Sequence, residues 1–132
     1  MINSEDYNQI LQVDAHFVHL MDRKAWDRLG EAWAEDGGYD GRASGRGLNV
    51  GLAAVREYLS TSRQPLVHIH TNYDFDGLEE GGTIARGRCR YLVVWPDHSV
   101  STGYTEDVWK KTPQGWRIYR RVSTPITQAT SA

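Results

Sequence analysis

The chain has 132 residues, 39% hydrophobic and 24% charged, with 15 Lys and Arg against 17 Asp and Glu for a formal net charge of −2. That length suits one domain over residues 1–132, able to bury roughly two-thirds of its unfolded surface, and the near-balance of charge lacks the basic face that nucleic-acid binding requires. The lone Cys89 can neither close an intrachain disulfide nor build a thiolate zinc cluster, residues 1–6 show no signal-peptide pattern, and no apolar run is long enough for a bilayer, so a cytoplasmic protein with no membrane partner is expected.

Asn3 or Ser4 is a good N-cap, Glu5 and Asp6 complement a helix dipole, and Tyr7, Ile10, Leu11, Phe17, Val18 and Met21 recur at helical spacing. The spacing predicts one long amphipathic helix, with Asp14 as the polar exception on its apolar side. Asp22 is placed to cap a second helix, Arg23 to about Trp33, whose Trp26, Leu29, Ala32 and Trp33 share a face. Glu35 to Gly51 carries six glycines and reads as a rim loop, with a short strand at Gly38 to Gly41. A third helix, with Leu52, Val55, Tyr58 and Leu59 on one face, ends before Pro65.

From Leu66 the period changes to two. Four runs, about 66–76, 83–95, 99–111 and 115–123, are separated by turn residues and predict an antiparallel meander, with a loose tail from Thr124 to Ala132. Helices followed by strands indicate an α+β fold with the helices packed on one face of a curved sheet and an ordered core of about 4–124. On the first of these strands His68, His70, Asn72 and Asp74 alternate with Val67, Ile69, Thr71, Tyr73 and Phe75. A polar face lining a cavity and an apolar face covered by another subunit satisfy both patterns, so a homodimer or homotrimer is expected.

Read from the residues alone, Asp22 and His68 are either a helix cap and a hydrogen-bonded core histidine or an acid–base pair. The stretch Met21 to Leu29, the Gly-rich segment before a short helix, His68-Ile69-His70-Thr71-Asn72, Gly103 to Asp107 and Gly115 to Ile118 together resemble the SnoaL-like branch of the nuclear transport factor 2 superfamily, over about residues 4–124. Asp22 and His68 are similar in position to the catalytic Asp and His of scytalone dehydratase and hexachlorocyclohexane dehydrochlorinase. The resemblance implies a cone-shaped barrel in which a curved, mainly antiparallel sheet wraps around N-terminal helices and encloses an apolar cavity. It also implies a cofactor-free dehydratase, cyclase or isomerase acting on a small hydrophobic, cyclic or polyketide-like substrate, with His68 taking a proton and Asp22 orienting it. Met21 stands where scytalone dehydratase has a tyrosine, and the second cavity histidine of that enzyme has no counterpart.

Candidate substrate-binding residues are Trp33, Tyr39, Tyr104 and Trp109, as aromatic walls, together with His70, Asn72 and Arg88. The bland alternatives are packing for the aromatics and cross-strand pairing with Glu106 or Asp107 for Arg88. Asp14 is a second cavity acid or the partner of an arginine, because an unpaired carboxylate on an apolar face is costly. His68-x-His70 has metal-ligand spacing but wants a third ligand, such as Asp14, Asp74 or Glu106; no metal is assigned. His16 and His19 read as a solvated pair, and Gly41 to Gly47 lacks the ending of a phosphate loop. Two other readings stay open: a non-catalytic ligand-binding or subunit-interaction protein, and an epoxide hydrolase using Asp14 with Asp22 around a water.

Overall fold

The computed structural model describes residues 2–127. Helix α1, Ser4–Asp22, begins as its cap predicts: the Asn3 side chain accepts the Asp6 backbone N–H at 2.9 Å. Asp6 then accepts the Trp116 indole N–H at 2.9 Å, which ties the helix start to the last strand. Ile10, Val13, Phe17, Val18, Leu20 and Met21 form the buried stripe of α1. Each large apolar side chain removed from water in this way contributes roughly 1.5–3 kcal/mol before entropy is counted.

The predicted second helix is corrected here. A six-residue 3-10 helix, Trp26–Glu31, is all that forms, and strand β1, Trp33–Asp40, starts where the helix was expected to end. The helical spacing of Trp26, Leu29 and Trp33 is overridden by pairing, because Trp33 lies beside Ile118 in a parallel ladder and both are buried. The predicted rim loop is also partly strand. β1 pairs antiparallel with β2, Leu48–Val50, leaving only 41–47 as the connection. Helix α2, Leu52–Thr61, buries Leu52, Val55 and Leu59 as expected.

The meander runs through β3, Val67–Glu79, β4, Ile84–Val94, β5, Val100–Thr112, and β6, Gly115–Pro125. Strand order is β2-β1-β6-β5-β4-β3, a six-stranded mixed sheet that does not close on itself. Thr124 and Pro125 of the predicted tail belong to β6, and residues 128–132 lie outside the described residues. Among the described residues no helix is long and apolar enough to cross a membrane.

One irregularity decides what the sheet presents to the helices. Between Thr71 and Asp74, β3 carries an extra residue relative to β4, and Asn72 sits at φ 56°. A bulge at one residue reverses the alternation beyond it. Tyr73 and Phe75, read from the sequence as outward partners of Val67 and Ile69, therefore turn inward and pack on the core, whereas Val67 and Ile69 stay exposed. The outward apolar area is smaller than plain alternation implies; Leu92 and Val122 are its other large exposed members on β4 and β6.

Candidate functional site

His68 and His70 stand two apart on β3, ahead of the bulge, so both imidazoles reach the same side of the sheet. Together with Phe17, Met21, Tyr39 and Tyr58 they line a cavity of about 210 Å³ between the helices and the sheet. Its other polar wall includes Tyr91, Thr105, Arg121 and Ser123. Tyr91 fits because Gly103 lies directly opposite on β5: any Cβ there would collide with the tyrosine ring. The lining thus combines apolar and aromatic walls with fixed polar groups, the make-up of a small-molecule pocket.

Asp22 ends α1 against the start of β3. Its Oδ1 lies 2.6 Å from His68 Nδ1, and its two oxygens accept the His68 backbone N–H at 3.2 and 3.3 Å. One carboxylate thus holds both ring and backbone of the same residue. With Nδ1 committed to the carboxylate, Nε2 is the nitrogen left for a substrate. Burial pushes the His68 imidazole below its ordinary value, and Asp22 offsets only part of that push. At neutral pH the ring is therefore neutral, as a base must be.

A second carboxylate–imidazole pair lies deeper. His70 Nδ1 is 3.1 Å from Asp14 Oδ2, an oxygen that also accepts the Tyr73 hydroxyl. Arg121 Nη2 donates to Asp14 Oδ1 at 2.6 Å, Arg121 Nε donates to Asp107 Oδ1 at 2.7 Å, and Thr105 Oγ1 donates to Asp107 Oδ2 at 2.5 Å. Asp14, Asp107 and Arg121 are all buried. Burial would raise the Asp14 carboxyl, but Arg121 and the donors from His70 and Tyr73 hold it well below the usual carboxylate range. Burial pushes Asp107 upward against the pull of Arg121. The guanidinium stays charged despite burial because it sits between Asp107 and Asp14. Its Nη1 has no partner among the described residues.

Several predicted binding residues lie elsewhere. Trp33 and Trp109 are sealed in the hydrophobic core, where their bulk fills space between the first helix and the sheet. Asn72 is exposed because the bulge directs it off the inner face. Arg88 is on the outer face, bonded to Asp74, Asp76 and Glu106, with Glu106 opposite it on β5, so cross-strand pairing is its role. Tyr104 alternates with inward Gly103 and Thr105 and lies on that same outer face beneath Arg90. Tyr39 and His70 do border the cavity, whereas Asp14 lies beneath it, as the partner of an arginine. Asp14 and Asp22 each hold a different imidazole, so they do not act as one carboxylate pair. His16 bonds Glu31 at the surface.

Arg121 has no part in the sequence reading, Asp107 enters it only as a cross-strand partner for Arg88, and Tyr73 only as an outward apolar residue. Asp107 was legible, since it alternates with Trp109 on an apolar face. Arg121 and Tyr73 were hidden because each follows a bulge, the one in β6 lying between Ile118 and Arg120.

As to metals, Asp14, His70 and Cys89 bring ligand atoms within 4.8 Å of one another. The set does not suit a cation: both Asp14 oxygens already accept donors, a guanidinium lies 2.6 Å away, and burial pushes the Cys89 thiol up to about 11.

A family model described as a SnoaL-like domain matches residues 3–122. No curated protein matches the chain. Among solved structures it is similar to a nuclear transport factor 2-like protein with a cystatin-like fold from Novosphingobium aromaticivorans, at 23% identity and TM-score 0.78, covering 95% of this chain and 84% of that one. A candidate scytalone dehydratase from the same organism matches at 19% identity and TM-score 0.77, over 92% of this chain and 84% of the other. LinA matches at 15% identity and TM-score 0.69, over 96% and 92%. At these identities the structures speak for the fold, and the family match for membership: the chain belongs to the SnoaL-like family.

Proposed function

We propose that this SnoaL-like protein is a cofactor-free lyase or isomerase, of the dehydratase or cyclase type, in which His68 removes a proton from a small apolar, ring-bearing substrate. The observation that carries the reading is the 2.6 Å contact between Asp22 and His68 Nδ1, on an imidazole that borders the cavity. Nε2 of the neutral ring takes a proton from carbon beside a carbonyl, and Asp22 stabilises the imidazolium that results. A ring bound against the apolar walls would displace water from the pocket, which strengthens that charge interaction. Tyr39, Tyr91 and Ser123 offer hydroxyls to an oxygenated ring, and burial keeps Tyr39 protonated as a donor.

The test uses two probes that yield the same absorbing enone: the benzaldehyde–acetone aldol, which loses water, and its acetate ester, which expels acetate. His68→Ala should lose about 10²–10⁴-fold in kcat with KM little changed, and Asp22→Asn should lose a comparable factor. EDTA should leave turnover unchanged. Full activity in His68→Ala would refute the assignment.

A further inference from the structure

The cavity holds two imidazoles, and the reading above uses one. We propose, resting on that reading, that His70 is its acid partner: as His68 takes a proton from carbon, His70 delivers one to the departing oxygen.

Three features of the geometry support this. Both rings border one cavity from alternate positions of one strand, roughly 6–7 Å apart along the backbone, a span that suits the two ends of an elimination. Both are held at Nδ1 by a carboxylate, which leaves both Nε2 atoms for the substrate. The two carboxylates, however, have different surroundings. Among the described residues Asp22 is partly exposed and has His68 as its one side-chain partner, whereas Asp14 belongs to a set with Arg121 and Asp107.

That set is one positive charge short. Asp14 and Asp107 supply two carboxyl groups and Arg121 one guanidinium, while Tyr73 and Cys89 remain neutral. A buried cluster with a net charge is expensive, and a proton taken up within it restores balance. Both Asp14 oxygens accept donors, Arg121 Nη2 at Oδ1 and His70 and Tyr73 at Oδ2, and Arg121 Nε donates to Asp107 Oδ1, while Asp107 Oδ2 meets the Thr105 hydroxyl, a group able to donate or accept. Asp107, which burial pushes upward, and Nε2 of His70 are the places in this set where that proton can sit, and only the imidazole borders the cavity. The groups facing that ring are Asp14 from α1, Tyr73 and His68 from β3, Cys89 from β4 and Arg121 from β6, with Asp107 of β5 behind the arginine. A positive His70 also favours a neutral His68. Environment thus divides two like residues into acid and base.

For a β-hydroxy ketone the step balances. His68 Nε2 takes the proton α to the carbonyl, and that C–H pair becomes the C=C bond. The β C–O pair leaves with oxygen, which takes the Nε2 proton of His70 and departs as water. His68 ends protonated and His70 neutral, and one proton returned through solvent resets both.

Two measurements test this, and the first needs no turnover. Ring-nitrogen NMR of ¹⁵N-histidine protein near neutral pH should show both nitrogens of His70 protonated while His68 is neutral with only Nδ1 protonated. A neutral His70 would overturn the proposal even if His68 proves to be the base. The second measurement is His70→Asn, whose amide keeps a donor to Asp14 but removes Nε2. It should lose about 10²–10⁴-fold on the aldol and less than tenfold on the acetate ester, whose leaving group needs no proton. Equal losses on both would assign His70 a structural role. If wild type turns over neither probe, the proposed function fails while the NMR result still decides the charge on His70.

Discussion

Two arginine clusters occupy opposite faces of the same sheet. Inside, Arg121 of β6 bonds Asp14 and Asp107 with its side chain 1% exposed; outside, Arg88 of β4 bonds Asp74, Asp76 and Glu106 with its side chain 32% exposed. Counting ion pairs would rank the outer cluster higher. Physics ranks them the other way, because water and salt screen the outer charges, whereas the inner ones have only each other. The inner cluster is also the one that reaches an imidazole in the cavity, so the expensive charges are those coupled to the candidate chemistry.

The largest effect expected from breaking this contrast is on stability. Arg121→Met leaves Asp14 and Asp107 buried without their cation, and we expect a loss of about 3–5 kcal/mol by urea unfolding. A loss below about 1 kcal/mol would mean that water reaches the cluster and that the inside–outside distinction is wrong.

Next comes the bulge that separates the two faces. Asn72→Val places a β-branched residue at φ 56°, a left-handed conformation that costs about 1–2 kcal/mol for ordinary side chains, while Asn72→Gly should be neutral or slightly stabilising. If Asn72→Val were harmless, β3 would have another register available, and the inward placement of Tyr73 and Phe75 would be in question.

That bulge also marks how far the sequence could be read. Where alternation is unbroken, as from Ala85 to Val93 or through Thr105, Asp107 and Trp109, inward and outward residues follow from counting in twos. Asp22 and His68 were legible because a helix end and a strand start meet where the resemblance implies. Tyr73 and Arg121 were not, since each lies just past an inserted residue and its face depends on register, which is set by the neighbouring strand. Trp33 misled for a related reason: its spacing suits a helix, and only the parallel ladder with Ile118 makes it a strand residue.

The acid limb of the pH profile sharpens the comparison within the cavity. His68 has its folded value pushed below the ordinary 6.5. The unfolded chain therefore takes up this proton first as pH falls. The stability that the neutral ring contributes is complete above about 6.5 and is lost as pH drops through the lower folded value. Turnover assigned to His68 should follow the same course, with kcat/KM falling only below about 6.5, and on the acetate ester His70→Asn should keep an acid limb, moved to higher pH because His70 no longer opposes the charge on His68. An acid limb above 6.5 in the wild type would contradict the burial that keeps the His68 ring neutral.

The smallest effect belongs to the outer cluster. Arg88 bonds Asp74 Oδ2 at 2.9 Å, Asp76 Oδ2 at 2.8 Å and Glu106 at 3.3 Å, which is generous geometry. Those three acids are themselves 51–72% exposed, so each carboxylate is well solvated when the arginine is removed. Three negative charges left near one another repel, but across a Debye length of about 8 Å at physiological salt that repulsion is damped. Arg88→Ala is therefore expected to change stability by about 1 kcal/mol or less, and the difference should shrink further in 1 M salt as the Debye length falls to about 3 Å. The loss in Arg121→Met should stay largely unchanged by salt, because ions do not reach its partners. Equal salt sensitivity in the two variants would show that burial is not what separates the clusters.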